Sequence, residues 1–259
     1  MAIIDKTLKS VENYIKNNEK TDDFYKEKAL EVLRKFGRPE IAENVSMQAV
    51  VGFGKEGAPV FCDMEAGNLS ASAPTGIAVN HFGCATVLLS LVLRFPESAF
   101  GYYLFTDEYA PAYFGRDAHC AGSASLCFEK PETHLNLLEK LFSELKYRQT
   151  LTGEERGKLP FLLVVFGNYG ARCPETEKER FCGLFELLFR QGKNLRAACM
   201  LTTTRPETEF LYDRYKDTFI CRLASDGVRM GHEPVFLWQK DGACTQVMTY
   251  HLSLGIGLR

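Results

Sequence analysis

The residues from Asn68 to Phe95 combine a strand, a turn and a helix in an order that could bind an anion. Small residues from Leu69 to Ala73 predict a short strand, and Pro74, Thr75 and Gly76 predict a tight turn. An almost wholly apolar stretch follows and predicts a buried helix. Such a turn can cradle a phosphate, because backbone N–H groups and the positive end of the helix both point at the anion. This stretch is therefore the first candidate for a nucleotide site.

The side chains that give a phosphate-binding loop its chemistry are replaced here. A working loop has the pattern G-x-x-x-x-G-K-[ST], and the matching positions are Ala73, Ala78, Val79 and Asn80. Val79 has no ammonium group to neutralise phosphates, and Asn80 is a poor substitute for the hydroxyl that holds Mg²⁺. The sequence thus predicts a nucleotide-binding scaffold that has lost its nucleotide, with the degenerate loop at Ala73, Pro74, Thr75, Gly76, Ile77, Ala78, Val79 and Asn80.

The composition is that of an ordinary globular protein and argues against several functions. The chain has 259 residues, of which 46% are hydrophobic and 25% charged, which suits one large domain or one domain with an appended piece. A net charge of −2 gives no support to nucleic-acid binding. Nine cysteines form no C-x-x-C pair, and no secretory signal is recognisable, so we expect buried, reduced thiols in a cytoplasmic setting. The longest apolar run, Ala85 to Leu93, is too short for a membrane span and predicts a core helix.

Strand-like and helix-like patterns alternate along the chain. Two amphipathic helices, at 3–17 and 21–36, predict an N-terminal hairpin (residues 1–40) that is either a linker or an interface, before a main domain at 41–259. Tyr109 to Ser123 predicts a loop. Further helices are predicted at 131–150, 175–191 and 208–215, and strands at 46–53, 58–64, 69–73, 100–107, 125–128, 161–166, 197–203, 219–223, 235–239 and 245–251. This alternation predicts an α/β sheet covered by helices on both faces.

In order and pattern, residues 46–251 resemble the FtsK/SpoIIIE-type motor ATPases, a branch of the RecA-like P-loop proteins. The resemblance is carried by a GKEGAPVFCDM hairpin, a helix ending in TVLLSLVLRFPES, a YYLFTD strand, FLLVVFGNYG, an ACMLTTTRPE strand end and a closing hairpin. The chain looks most like the divergent C-terminal ATPase domains of type VII secretion motors of the EssC/EccC kind. The resemblance implies a RecA-like P-loop NTPase core, with a mostly parallel sheet flanked by helices, an N-terminal helical hairpin and peripheral β-hairpins.

Two further positions of the nucleotide site can be transferred from this family, and both depart from its pattern. The family has a strand-end aspartate that holds Mg²⁺, followed by a glutamate or asparagine, where this chain has Gly167 and Asn168. The family typically has a glutamine before Arg-Pro that senses the γ-phosphate, where this chain has Thr204 before Arg205. Phosphoryl transfer depends on placed charges, so the combined losses predict that ATP and Mg²⁺ binding, and hydrolysis with them, are lost.

Three other groups of residues could carry chemistry, and each also has a structural interpretation. Asp107 and Glu108 stand at the end of the strand predicted at 100–107 and could bind a metal, but acids at strand ends are more often solvated. His119 and Cys120 lack a third partner for nucleophilic catalysis and are interpreted as a loop pair. The acidic segment around Glu209 predicts a solvated helix. The five histidines show no metal-ligand spacing.

The resemblance implies a catalytically inactive domain in the cytoplasmic part of a membrane-anchored type VII secretion motor, acting in substrate recognition, regulation or assembly. The implied partners are neighbouring ATPase domains, WXG-type helical-hairpin secreted proteins, and other copies of the full-length motor. A helical signal would lay apolar side chains into a groove. Tyr113, Phe114, Phe210 and Tyr212 are candidate anchors for such a partner, and packing of these rings onto the domain is the equal alternative. The alternative function is an ATP-binding NTPase or DNA translocase with an unorthodox phosphate loop.

Overall fold

The computed structural model describes residues 9, 12–13, 16–17, 23–54, 57–72, 77–106, 114–126, 131–170, 173–206, 208–224, 235–240 and 243–248. Its helices are α1 (Asp23–Phe36), α2 (Pro39–Ala42), α3 (Ile77–Val92), α4 (Glu132–Thr150), α5 (Gly153–Gly157), α6 (Glu175–Arg180), α7 (Cys182–Gln191) and α8 (Phe210–Tyr215). Its strands are β1 (Gln48–Phe53), β2 (Pro59–Asp63), β3 (Asn68–Ser72), β4 (Phe100–Thr106), β5 (Cys120–Ser125), β6 (Phe161–Gly167), β7 (Ala197–Thr203), β8 (Phe219–Ala224), β9 (Val235–Lys240) and β10 (Ala243–Met248). Short 3-10 turns occur at Phe114–Arg116, Gly192–Leu195 and Lys216–Thr218.

In the described part of the chain, the ten strands form one sheet with the order β2-β1-β10-β9-β8-β3-β7-β6-β4-β5. The six strands from β8 to β5 are all parallel. The other four add to the β8 side in antiparallel fashion. The predicted α/β sheet with mostly parallel strands and peripheral hairpins is therefore confirmed.

Helices bury apolar side chains against both faces of this sheet. Helix α3 is apolar on all sides, and every residue from Cys84 to Leu93 is buried, which confirms the predicted core helix. Helices α4 and α7 pack on the opposite face, where Leu138, Leu141 and Leu145 of α4 belong to a second apolar cluster. All residues of β6 and β7 are buried, as expected for parallel strands that are covered on both sides.

Helix α1, the second helix of the predicted N-terminal hairpin, packs on the antiparallel part of the sheet. Leu33 and Phe36 belong to the same apolar cluster as β1, and the ring of Phe36 meets that of Phe53 edge-on at 5.7 Å. The predicted first helix lies largely outside the described residues. The domain boundary at residue 40 stays a prediction.

The position predicted for β5 is wrong. The sequence places a loop at Tyr109 to Ser123 and a strand at 125–128, whereas the strand runs over Cys120–Ser125. Its residues are small and have little intrinsic preference for a strand. They are suited to close packing instead, because a Cβ on Gly122 would lie 2.4 Å from Cδ1 of Leu137 on α4. Packing against a helix that is distant in sequence therefore determines this strand.

The helix predicted at 175–191 is divided in two. Phe181 has φ −102° and ψ 12°, so the chain turns between α6 and α7. Gly192 ends α7, as predicted, but with φ −50° rather than in a left-handed conformation. A Cβ at this position would lie 2.7 Å from the carbonyl oxygen of Ala197, so close approach requires the glycine. The left-handed residue is Arg196, with φ 53°.

The apolar segments and thiols behave as the composition suggests. Among the described helices, none combines the length and the apolar character that crossing a bilayer requires. Seven cysteines have described side chains, none is in a disulfide, and five are buried. Burial raises the pKa of the Cys84 thiol to about 12, which keeps it protonated and inert. The prediction of buried, reduced thiols is confirmed for these five.

Candidate functional site

The carboxyl ends of the six parallel strands meet at one edge of the sheet. β3 pairs with β7 and β8, yet the chain leaves it through α3 and re-enters the sheet at β4, beyond β6. Open α/β sheets bind ligands at such a reversal of strand order. The last residues of the six strands are Ser72, Thr106, Ser125, Gly167, Thr203 and Ala224. None of these strands ends in a carboxylate, so the strand ends that the structure describes have neutral side chains or none.

The strand and the helix that flank the predicted phosphate loop are confirmed by β3 and α3. Ala73, Pro74, Thr75 and Gly76 lie outside the described residues. Ile77, Ala78, Val79 and Asn80 form the first turn of α3. The predicted loss of phosphate and metal ligands at this loop stays a prediction.

Gly167 occupies a narrow gap at the end of β6. A Cβ built on it would lie 3.3 Å from Cγ2 of Thr106 and 3.4 Å from Oγ1 of Thr202. Both distances are shorter than, or at the limit of, ordinary van der Waals contact. Where the resembling ATPases have a metal-binding aspartate, this chain thus has a glycine between two threonine side chains.

Asn168 joins the ends of β6 and β7. Its backbone is left-handed (φ 54°), a conformation that asparagine tolerates better than most residues. Its N–H donates to the Thr202 carbonyl oxygen at 2.8 Å. Its side-chain Oδ1 accepts from the backbone N–H of Thr204 at 2.8 Å and from the Thr204 hydroxyl at 3.2 Å. We call this arrangement of Asn168 and Thr204 the strand-end clamp.

The strand-end clamp brings three of the predicted site residues together. Asn168 and Thr204 contact each other directly, and the N–H of Arg205 donates to Oγ1 of Thr203 at 3.1 Å. The Arg205 side chain is exposed. The oxygen of Asn168 already accepts two donors, so this residue holds the two strands together in the described conformation.

A buried polar cluster lies directly behind the strand-end clamp. Tyr169 donates its hydroxyl hydrogen to Oε1 of Glu177, and His134 Nε2 lies 3.2 Å from Oε2 of the same carboxylate. All three side chains are buried. Burial, together with Cys173 and Glu177, raises the pKa of the Tyr169 hydroxyl well above its usual value, so it stays protonated and donates. The cluster fixes the segment after β6 to α4 and α6.

The sequence contained one signal for this cluster. His134 lies on the buried stripe of α4, in step with Leu138, Leu141 and Leu145, where a polar residue requires a partner. The partners could not be found, because Tyr169 and Glu177 come from a loop and a different helix. Among the described residues, no group of three or more His, Cys, Asp or Glu side chains could hold a metal ion.

Helices α6, α7 and α8 border an open cleft of about 310 Å³, which we call the side cleft. Phe185 and Phe210 form its apolar part, and Lys178 lies 5.1 Å from the centre of the Phe210 ring. Arg214 donates to Oε1 of Glu186 at 3.0 Å. The other lining residues are Glu175, Glu179 and Cys182. An apolar floor with a rim of both charges is suited to binding a peptide side chain.

The four aromatic residues predicted as partner anchors lie in different environments. Tyr113 is outside the described residues. Phe114 is fully buried and its carbonyl accepts from the Tyr102 hydroxyl at 2.7 Å, so the expectation that it is exposed is wrong. Its ring meets that of Tyr102 edge-on, with the ring centres 6.3 Å apart. Phe210 and Tyr212 are half-buried, and Tyr212 stacks on Phe219 at 5.8 Å. Of the three that the structure describes, Phe210 alone lines the side cleft.

The acidic segment around α8 is not solvated as a whole. Asp213 and Asp217 are exposed, as predicted, but Glu209 is fully buried. Gly170 leaves the space that this side chain occupies, since a Cβ there would lie 1.7 Å from Glu209 Oε1. Glu209 precedes Phe210, so the loop after β6 contacts the start of α8 directly.

His119 and Cys120 are engaged in contacts that stabilise the fold, which agrees with their interpretation as a pair without a catalytic role. His119 Nδ1 lies 2.7 Å from Asp117 Oδ1, and its Nε2 lies 2.9 Å from the Phe95 carbonyl oxygen. Burial raises the pKa of the Cys120 thiol, which is the opposite of what a thiolate nucleophile requires. Asp107 and Glu108 lie outside the described residues.

No family model and no curated protein matches this sequence. Solved structures match its fold. EccC from Thermomonospora curvata (ATPases 2 and 3, in complex with a signal sequence peptide) aligns with TM-score 0.64 and 13% identity over 81% of this chain and 42% of that chain. EssC from Geobacillus thermodenitrificans (ATPases 2 and 3) aligns with TM-score 0.60 and 17% identity over 79% of this chain and 44% of the EssC chain.

The pCW3 conjugation coupling protein TcpA, in its monomer form with ATPgS, aligns with TM-score 0.59 and 13% identity over 83% of this chain and 69% of that chain. This chain spans less than half the length of the EccC and EssC chains. At these identities the likeness concerns the fold, and at that level it confirms the resemblance to FtsK/SpoIIIE-type ATPase domains of the EssC/EccC kind.

Proposed function

We propose that this chain is a catalytically inactive ATPase-fold domain that acts through protein contacts within a larger secretion motor. The observation that carries the proposal is that the last described residues of the parallel strands, at the edge where their carboxyl ends meet, are neutral. Gly167 stands where the resembling ATPases have a metal-binding acid, and Asn168 is engaged in the strand-end clamp with Thr204. Because phosphoryl transfer relies on placed cations and a held metal ion, such an edge does not support it.

The described residues also do not fit a bound Mg²⁺–nucleotide. Mg²⁺ in nucleotide sites is held through carboxylate and hydroxyl ligands with its waters and the phosphates. Among the described residues, the last positions of the strands offer hydroxyls but no carboxylate, and the Asn168 oxygen already accepts two hydrogen bonds. We therefore derive no catalytic step for this domain.

Calorimetric titration of Mg²⁺–ATP tests the proposal directly. We expect no saturable binding at millimolar nucleotide, and none after Val79→Lys or Gly167→Asp, because each variant restores only one of several missing groups. A site with a dissociation constant of tens of micromolar, or about −6 kcal/mol, would contradict the proposal. Hydrolysis by the Val79→Lys variant alone would show that the site is nearly intact.

The proposed activity is recognition of a helical secretion signal in the side cleft. EccC was solved in complex with a signal sequence peptide, and the side cleft of this chain offers Phe210 and Phe185 between charged residues. Neighbouring ATPase domains are proposed as further partners, since the EccC and EssC chains are longer than this one. The setting we propose is the cytoplasmic part of a membrane-anchored motor.

Fluorescence anisotropy with a labelled helical signal peptide of a WXG-type protein tests this activity. We expect binding without nucleotide in the micromolar range, about −7 to −8 kcal/mol. Phe210→Ala should weaken it at least fivefold, because aromatic anchors carry much of the energy at interfaces. Tyr147→Ala is the matched control, since Tyr147 is an exposed aromatic residue outside the side cleft. Equal weakening by both variants, or no binding at all, would count against the recognition role.

A further inference from the structure

The two edges of the sheet differ in how well they are protected from pairing with another strand. β2 forms one edge and contains Pro59, which has no N–H to donate, and the charged Asp63. β5 forms the other edge and reads Cys-Ala-Gly-Ser-Ala-Ser, without a charge or a proline. Charges and prolines are the devices by which edge strands avoid pairing. β5 is therefore the edge at which an additional strand would be accepted.

The outer side of β5 presents the backbone groups of every second residue. In a parallel ladder, successive residues direct their N–H and C=O groups to opposite neighbours. The N–H of Leu126 donates inward to the Thr106 carbonyl oxygen at 2.7 Å. Ser123 and Ser125 alternate with Leu126 and thus face outward, whereas the register of β5 against β4 is irregular at Ala121. In the described part of the chain, no strand pairs with this side.

Helix α4 runs beside β5 in the opposite direction and places a cation near one end of it. Leu137 packs against Gly122, as the 2.4 Å distance from a Cβ built there indicates. One turn further along the helix, Lys140 donates to the Ala121 carbonyl oxygen at 2.8 Å. This bond leaves a second lone pair on that oxygen for another donor.

We propose that two copies of this chain pair antiparallel through β5, about a two-fold axis at Ser123. Each Ser123 then exchanges both backbone hydrogen bonds with its counterpart, and the Ala121 carbonyl oxygen accepts from the Ser125 N–H of the other copy. The α4 helices lie side by side on the same face. Glu132 and Lys140 are both exposed on α4, and the midpoint between them is Asn136, the residue before Leu137, so it lies near the level of Gly122 and Ser123. The two-fold axis therefore places Lys140 of each copy next to Glu132 of the other.

This charge complementarity selects a second copy over an unrelated strand as the partner. The exposed residues of β5 are Ala121, Ser123 and Ser125. Their methyl and hydroxymethyl side chains are small enough to allow close approach of an identical strand. Tyr147 lies seven residues after Lys140, on the same side of α4, and its side chain is 54% exposed. It is one of two large apolar residues that are mostly exposed in the described structure, so the same side also offers apolar area.

Sedimentation of the chain over a wide concentration range tests the pairing. We expect the average mass to rise reversibly towards twice the monomer value, and Ser123→Pro, which removes a central N–H, to abolish the rise. Lys140→Glu and Glu132→Lys should each weaken association at least fivefold, and the double reversal should restore it. Lys146→Glu is the matched control, because Lys146 is exposed on a different side of α4.

Two results would overturn the proposal. One is a chain that stays monomeric at every concentration. The other is a dimer that neither Ser123→Pro nor the charge reversals weaken, since that dimer would use another surface. If Ser123→Pro fails to fold, the two charge reversals and the double variant still test whether the copies pair through β5.

Discussion

At the amino ends of the parallel strands, charged side chains are buried among backbone carbonyls, whereas the described strand ends at the carboxyl edge are neutral. Arg148 donates to the carbonyl oxygens of Pro160, Leu195 and Arg196, just before β6 and β7 begin. His119, just before β5, bonds Asp117 and a backbone carbonyl. The carboxyl ends have threonine, serine, glycine and the strand-end clamp instead. Among the described residues, buried charge thus lies at the amino ends of these strands, where it stabilises the fold.

Truncation of Arg148 should have the largest effect at the amino end. Arg148→Ala leaves three carbonyl groups without their cationic donor, and the side chain is only 2% exposed. We expect a loss of about 4 kcal/mol in the free energy of unfolding, measured by chemical denaturation. Lys146→Ala, at an exposed position of the same helix, should change it by less than about 0.5 kcal/mol. A loss below about 1 kcal/mol for Arg148→Ala would mean that the amino end does not depend on buried charge.

A methyl group at Gly170 should have the next largest effect, at the carboxyl end. Gly170→Ala puts a carbon where the Glu209 carboxylate lies, and that side chain is fully buried. We expect a loss of about 3 kcal/mol from overpacking, seen in the denaturation midpoint. Gly153→Ala is the control, since a Cβ there meets nothing within 4 Å. Equal stability of the two variants would show that the loop after β6 yields easily.

The strand-end clamp should contribute less, and two substitutions separate its parts. Asn168→Gly keeps the left-handed backbone but removes both side-chain hydrogen bonds to Thr204, which should cost about 1 kcal/mol. Asn168→Ala adds the strain of a left-handed non-glycine residue and should cost about 2 kcal/mol in total. Thermal and chemical unfolding of both variants measure the two contributions. If alanine were tolerated as well as glycine, the backbone conformation would not be constrained by the fold.

The smallest expected effect is a pH dependence at the amino end. Burial disfavours the charged form of His119, but hydrogen bonds to Asp117 and Phe95 outweigh it and raise its pKa above the usual 6.5. Its stabilising contribution is therefore complete below that value and is lost as the pH rises through the raised pKa. In a titration from about pH 5.5 to about pH 8.5, the difference in unfolding free energy between the wild type and His119→Gln should stay constant up to about pH 6.5 and shrink above it. A difference that is constant over this range would contradict the assignment.

The sequence predicts those helices and strands whose hydrophobic pattern shows which of their faces are buried. β6 and β7 are continuous apolar runs because both of their faces are covered, and α4 shows its buried stripe at helical spacing. β5 was not predicted, because its small residues have little strand preference of their own and are needed only for close packing against Leu137. The same distinction holds for the candidate site. Gly167 and Asn168 could be marked as departures from a motif, but the strand-end clamp depends on the register that sets Gly167 opposite Thr202.

The order in which the ribosome makes the strands delays the completion of this sheet. β3 lies between β7 and β8, and the Asn68 side chain accepts from the N–H of Cys199, a residue 131 positions later. At a synthesis rate of roughly 5–20 residues per second, β3 and α3 leave the ribosome many seconds before either neighbour of β3 exists. Helix α3, apolar on all sides, has no complete sheet to cover it during that interval. Apolar surface of this helix therefore stays open to aggregation during synthesis until β7 and β8 are made.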